Sequence, residues 1–277
     1  MGLSLIKGNS GYIGLDKRGE VASTGTTGSV SVGKHYLERK RGNFTPIGPE
    51  TNVLFEDDFS SGDLSNWTVY NGSESSIWYV GTDVRDSNGG TGNEGGSSVT
   101  IPSGSTYAAF VSNNNTNNYY NNLVDVHMVF EFTIPSDVTA TSLTLEFDWL
   151  CFGERGSGFG SFDYGYLNYI NPSSFTPVAG TEYTSDTTSR ERIIGTNTSP
   201  NTDNCKFTGD GSSSRNSSAL NNFVYENITI DSSEITQSGL WCDNNCTRAI
   251  MFSWTSDSSV IDNPSWTIAN VKLTYNE

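Results

Sequence analysis

The sequence predicts an all-β fold, a two-sheet sandwich with Greek-key or jelly-roll connections, on three observations. Beyond about residue 50, short stretches of alternating apolar and polar residues follow one another, each closed by a cluster of Gly, Asn, Ser or Asp. No segment sustains a 3.6-residue apolar period, so no amphipathic helix is expected. Aromatic residues make up 12% of the 277 positions, with six Trp and thirteen Tyr, and such side chains suit pleated, half-buried surfaces.

Two segments are expected, a docking arm over residues 1–50 and a sandwich domain over 51–277. In the arm, short apolar snippets (Ser4 to Ile6, Tyr12 to Leu15, Val30 to Val32) are separated by GNSG, DKRG and GTTG. Such pieces bury too little to order alone and are expected to order against a neighbouring surface. Residues 33–42 (GKHYLERKRG) have the composition for one or two helical turns, gathering Lys34, His35, Arg39, Lys40 and Arg41 into a candidate partner-docking surface.

After Pro46 to Pro49, alternation and turn punctuation predict strands at Val53–Phe55, Trp67–Tyr70, Trp78–Thr82, Ser98–Ile101, Tyr107–Ser112, His127–Thr133, Ser142–Cys151 and Tyr164–Ile170. Three more are predicted at Phe223–Ile230, Ala249–Thr255 and Trp266–Tyr275. In the last, Ala269, Val271, Leu273 and Tyr275 are expected on one face. Residues 173–218, mostly Ser, Thr, Asn and Gly with Ile193, Ile194 and Phe207 as apolar anchors, read as a long loop region decorating one edge.

Charge divides the chain in the same place. Residues 1–47 hold seven basic and three acidic residues, a net +4, which leaves −20 for the rest of a chain of net −16. A basic leader on an acidic body points to docking at one end and a soluble outward face at the other. The basic run is short and its body acidic, so nucleic acid is not an expected partner. No apolar run approaches the roughly 18 residues of a membrane helix, and no membrane insertion is expected.

Four cysteines are too few for a disulfide scaffold at this length. Cys242 and Cys246 frame a tight loop and could bridge each other or reach Cys205, while Cys151 continues an apolar stripe and reads as a buried thiol. Nor is catalysis expected. Glu146 and Asp148 start a strand pattern of the ExDxxE type, but Cys151 stands where a second catalytic Glu is needed, and the alternation puts both acids on the solvent face. The two histidines, His35 and His127, form no Ser-His-Asp arrangement, and no phosphate-binding glycine loop is present.

The stretches Leu54 to Val69 (LFEDDFSSGDLSNWTV), Thr106 to Asn115, Phe132 to Glu154 and Ala249 to Leu273 resemble, in that order, the concanavalin/MAM-like jelly rolls, and among them the cleaved-adhesin or choice-of-anchor domains of bacterial surface proteins. The resemblance covers roughly residues 53–276. It implies a jelly roll whose last strand returns beside the first, and a structural Ca²⁺ held by Asp57, Asp58, Asn113 and Asn270, with Ala269 standing where the family carries an Asp. It also implies an adhesive surface, for which the tyrosines at Tyr119, Tyr120, Tyr164 and Tyr166 are candidate glycan-stacking residues.

Met1 to Ser10 shows no charged start, apolar core or cleavage site of a secretion signal. With an adhesin-like body, this predicts a bacteriophage virion structural protein, a capsid decoration or head fiber assembled in the host cytoplasm and displayed on the virion surface. Its partners would be other virion proteins, such as a major capsid or tail protein, and cell-surface glycans, and it would be present as many copies or as a homo-oligomer. A tail-associated virion protein is one alternative; an extracellular or cell-surface adhesin or carbohydrate-binding module is the other.

Overall fold

The computed structural model describes residues 6–8, 11–15, 21–23, 52–86, 96–121, 123–155, 161–193, 206–207, 217–257 and 263–277, and divides the chain into Met1–Asn52 and Val53–Glu277. Within the first unit, β1 (Ile6–Gly8), β2 (Gly11–Leu15) and β3 (Val21–Ser23) form an antiparallel meander with Ile6 opposite Ile13 and Ile13 opposite Ser23. The apolar snippets at the start of the leader therefore pair with each other. The basic cluster Lys34, His35, Arg39, Lys40 and Arg41 lies outside the described residues.

The second unit is a jelly-roll sandwich of two antiparallel sheets, as predicted. One sheet is built from β4 (Val53–Asp57), β6 (Ile77–Gly81), β7 (Ala108–Ser112), β9 (Ser142–Leu150), β14 (Val224–Asp231) and β16 (Thr267–Asn276), in the order β14-β9-β16-β7-β6. Strand β4 also pairs with β16, Val271 opposite Asp57, so the last strand does return beside the first. The other sheet comprises β5 (Thr68–Tyr70), β8 (Val124–Thr133), β10 (Glu154–Arg155), β11 (Ser161–Ile170) and β15 (Thr247–Ser256), in the order β10-β11-β15-β8-β5. Two further strands, β12 (Arg190–Arg192) and β13 (Lys206–Phe207), pair with β11.

The core lies between the sheets because each long strand alternates. In β9, Leu143, Leu145, Phe147 and Trp149 are buried while Ser142, Thr144, Glu146 and Asp148 are half-buried on the outer face. The inward residues meet as an aromatic layer. Trp266 stacks between Phe252 and Phe207, with centroids 5.4 and 4.9 Å away and rings inclined by 25° in both cases, and Phe147 meets Trp266 edge-on at 6.2 Å. Cys151 is a buried thiol outside the disulfide, as its place on the stripe predicts, and Cys242 is bridged to Cys246.

Three expectations need correction. Residues 173–218 do more than decorate an edge: β12 and β13 join the sheet and Phe207, fully buried, packs against Phe147, Trp149 and Trp266. Ser98–Ile101 forms no strand; Ser98 makes an isolated bridge with Arg85. The alternation predicted for β16 is broken by a bulge between Ala269 and Lys272, where Asn270 takes a φ of 51°. Ile268, Val271 and Leu273 consequently face the main core, whereas Ala269 turns to a second cluster with Val84, Ala108, Phe110 and Leu150.

The outer face of the seven-stranded sheet is covered by a strap, residues 171–189, whose Phe175 and Tyr183 pack on Val129, Ile170, Ala249 and Met251. His127 is buried beneath it, with Nδ1 2.9 Å from Ser253 Oγ, Nε2 3.3 Å from the Val178 carbonyl and its ring 5.1 Å from that of Tyr183. Burial is the main cause that lowers its pKa from 6.5 to about 4, with nearby Arg190 adding to the effect. Because the unfolded chain binds this proton more readily than the folded one, the contribution of neutral His127 is complete above pH 6.5 and is lost as pH falls toward 4. Thermal melts should therefore drop over that range, by up to about 3 kcal/mol through this residue, and the drop should be smaller in His127→Gln. Equal pH profiles for the two proteins would contradict this.

Candidate functional site

The outer face of the six-stranded sheet is where the acids of β9 emerge. Strand alternation sends Tyr225 and Asn227 outward from β14, in register with Asp148 and Glu146 of the neighbouring β9. On its other side Glu146 lies opposite Lys272 of β16, which in turn lies opposite Glu56 of β4. A row of polar side chains thus crosses four strands. Asn270, beside the bulge in β16, adds one more on the same face as Lys272.

These residues line a cleft of about 360 Å³, with Glu56, Asp58, Glu146, Tyr225, Asn270 and Lys272 around it and the turn at Ser103 and Gly104 as one wall. Gly104 has a φ of +119°, and a Cβ there would lie 3.1 Å from Asn270 Oδ1, so a glycine lets the turn close over the amide. Asn270 Nδ2 donates to Asp148 Oδ2 at 2.8 Å and to the Ser103 carbonyl at 3.4 Å. The Tyr225 hydroxyl donates to Glu146 Oε1, which Asn227 Nδ2 also approaches at 3.4 Å. The ring itself stays out in solvent: Tyr225 is 55% exposed.

Electrostatics follow from these contacts. Partial burial raises the Asp148 carboxyl pKa, against a lowering by the Asn270 amide. Burial, followed by the hydrogen bond to Glu146, raises the pKa of Tyr225, which stays a neutral donor at pH 7. The hydroxyl and N–H of Ser60 lower that of Asp58. Exposed aromatic carbon, carboxylate acceptors and the Lys272 and Asn270 donors therefore share one open surface.

The structure separates the predicted calcium ligands. Asp57, Asp58 and Asn270 border the cleft, but Asn113 follows the end of β7, where its N–H donates to the Tyr119 carbonyl at 2.7 Å and its Nδ2 to Asn121 Oδ1 at 3.3 Å. Asp57 faces inward. Its Oδ1 accepts from the Phe59 N–H at 2.7 Å and its Oδ2 from Trp67 Nε1 at 2.9 Å and Asn66 Nδ2 at 3.2 Å. Asp57 is thus the clasp of the SSGDLSN turn, and the four residues are not assembled as a calcium site; among the described residues no group of three or more His, Cys, Asp or Glu side chains is placed to hold a metal ion.

The predicted glycan-stacking tyrosines are likewise corrected. Tyr119, Tyr120, Tyr164 and Tyr166 are all buried. Tyr120 donates to buried Asp163, Tyr119 accepts from the Gly96 N–H at 3.0 Å, and Tyr164 and Tyr166 lie under the strap, bonded to Glu182 and to the Tyr183 N–H. None offers a ring face to a ligand. Tyr225 does offer one, and in VYENITID its alternation with Ile228 and Ile230 sets it on the polar face, as alternation sets Glu146 in SLTLEFDWL.

No protein-family model matches the chain, and no curated protein matches it. Among solved structures it is similar to the enzymatically active domain of bacteriophage CBA120 tailspike protein 4, at 12% identity over 83% of this chain and 22% of that one, with a TM-score of 0.41. It is also similar to TmCBM61, solved in complex with β-1,4-galactotriose, at 12% identity over 79% of this chain and 94% of that one, with a TM-score of 0.36. A third is the N-terminal CBM22-1–CBM22-2 tandem domain of Paenibacillus barcinonensis Xyn10C, at 13% identity over 84% of this chain and 51% of that one, TM-score 0.36. Likenesses of this size carry no argument about function, which rests on the geometry of the cleft.

Proposed function

We propose that the sandwich is a glycan-binding domain that works without chemistry, and that its ligand lies on the outer face of the six-stranded sheet. The observation that carries this reading is Tyr225, a ring more than half exposed at the edge of an open cleft that also presents the hydrogen-bonding side chains of Glu56, Asp58, Glu146, Asn270 and Lys272. Sugar rings present apolar C–H faces and peripheral hydroxyls, and a tyrosine flanked by carboxylates and amides complements both. Binding at one such site is weak, and many copies on one particle would multiply it. Multivalent protein on a glycan array should give a defined set of signals that Tyr225→Ala lowers tenfold or more, with Tyr225→Phe retaining most of the stacking. An array without signal, or one indifferent to Tyr225→Ala, would contradict the proposal.

In this reading the domain is adhesin-like and is displayed on a bacteriophage virion through the basic leader, on the head as a capsid decoration or head fiber. The charge division supports it: +4 over residues 1–47 and −20 beyond suits a leader that meets an acidic partner while the body stays soluble. Deleting residues 1–50 should abolish incorporation into particles while leaving glycan binding intact; particles that retain the truncated protein would contradict the docking role.

A further inference from the structure

The cleft also carries a charge preference, and this inference rests on the glycan reading above. Glu56, Asp57, Asp58 and Glu146 contribute carboxylates to its lining and Lys272 the one ammonium. Asp57 is committed to the turn through both oxygens, so the acids that face a ligand are Glu56, Asp58 and Glu146. Lys272 stands between Glu56 and Glu146, opposite each in register, and offsets only part of their charge. Asp148 adds a further acid one step along β9, behind the Asn270 amide. A concave surface lined by one sign of charge with low-dielectric walls concentrates its field at the mouth, and here the mouth is also where the exposed Tyr225 ring sits.

We infer that the cleft selects sugars bearing protonated amines, as in oligomers of unacetylated hexosamine, and rejects uronate, sulfated and sialylated glycans. The tyrosine supplies the stacking surface that a bare acidic patch lacks, and the carboxylates turn that surface toward cationic ligands: an amine at the 2-position of a ring stacked on Tyr225 would meet Glu146, and amines on the next rings of the oligomer would meet Glu56 and Asp58 farther along the cleft, whereas acidic substituents would meet the same carboxylates.

The test uses a matched pair, chitotetraose and its fully deacetylated counterpart, titrated calorimetrically against the full chain at pH 6 in low and high salt. The deacetylated oligomer should bind about tenfold more tightly at low salt, with the advantage shrinking as salt rises. Glu56→Gln/Asp58→Asn should remove most of that advantage, while the control Asp137→Asn/Asp243→Asn, which removes two exposed acids elsewhere, should leave it. Tyr225→Ala should weaken both oligomers. Equal affinity for the two sugars, an advantage equally lost in the control, or no binding of the deacetylated oligomer would overturn the inference. The glycan reading falls separately, if neutral and charged glycans alike fail on the array or its signals are indifferent to Tyr225→Ala.

Discussion

Gly165→Ala is expected to cost this protein several degrees of thermal stability through a single added methyl group. Gly165 sits in β11 on the face that looks into the sandwich, and a Cβ there would lie 2.1 Å from Trp266 Cδ2 and 2.3 Å from Cε3. The indole has nowhere to retreat, since Phe252 and Phe207 stack on it and Phe147 meets it edge-on. Overpacking a well-filled core costs about 1–3 kcal/mol, and a methyl driven into a ring that is itself stacked on two others belongs at the top of that range. At roughly 2–4 °C per kcal/mol for a domain of this size, Gly165→Ala should lower Tm by about 6–12 °C. Adding Trp266→Leu should recover part of the loss, because it removes the ring that the methyl strikes. A Gly165→Ala protein that melts like the parent would show that the indole does not lie against β11.

The second large effect is expected at Asp57. This carboxylate is buried and accepts three hydrogen bonds that hold the turn between β4 and β5, among them the indole N–H of Trp67, itself almost wholly buried. Asp57→Ala would leave that indole and the Phe59 N–H without their acceptor, and each stranded buried donor costs about 1–3 kcal/mol. Phe59, left-handed at φ 58° and stacked 5.9 Å from Trp67, would lose the contact that fixes its backbone. A loss of about 3–4 kcal/mol is expected for Asp57→Ala, and roughly half of that for Asp57→Asn, which keeps one oxygen. Denaturant melts measure both. The parent Tm should be indifferent to calcium and to EDTA; a calcium-dependent Tm abolished by Asp57→Asn would show that this residue serves as a metal ligand instead.

The strand pattern was legible because a sandwich strand is half-buried and its alternation is written in side-chain polarity. Ser142–Leu150 is an example, with Glu146 and Asp148 correctly expected on the solvent face. Pattern reading failed where the backbone departs from regular pleating. At Ala269 to Lys272 the residues alternate as if the strand were continuous, yet the bulge at Asn270 turns Ala269 away from the main core face. Phe207 reads as an anchor but not as core, because the strand it pairs with, at Gly165–Tyr166 of β11, is distant in sequence.

The tyrosines show a different limit. Tyr119, Tyr120, Tyr164 and Tyr166 lie in polar surroundings that suggest exposure, but their hydroxyls find partners within the protein, such as buried Asp163 and the Tyr183 N–H, while the rings themselves are covered. Alternation assigns Tyr225 to the outer face of β14 but does not say whether that face is covered. That depends on a strap over one sheet and the absence of any described residue packed across the Tyr225 ring on the other, which local sequence does not encode.

The most direct measurement is a map of where sugar touches the protein, by following backbone amide resonances during titration with the tightest glycan from the array. The account predicts that perturbations cluster on Tyr225, Glu146, Asn270 and Lys272 and vanish in Tyr225→Ala. Perturbations centred instead on the strap at residues 171–189, or on the loop at 113–121, would contradict it.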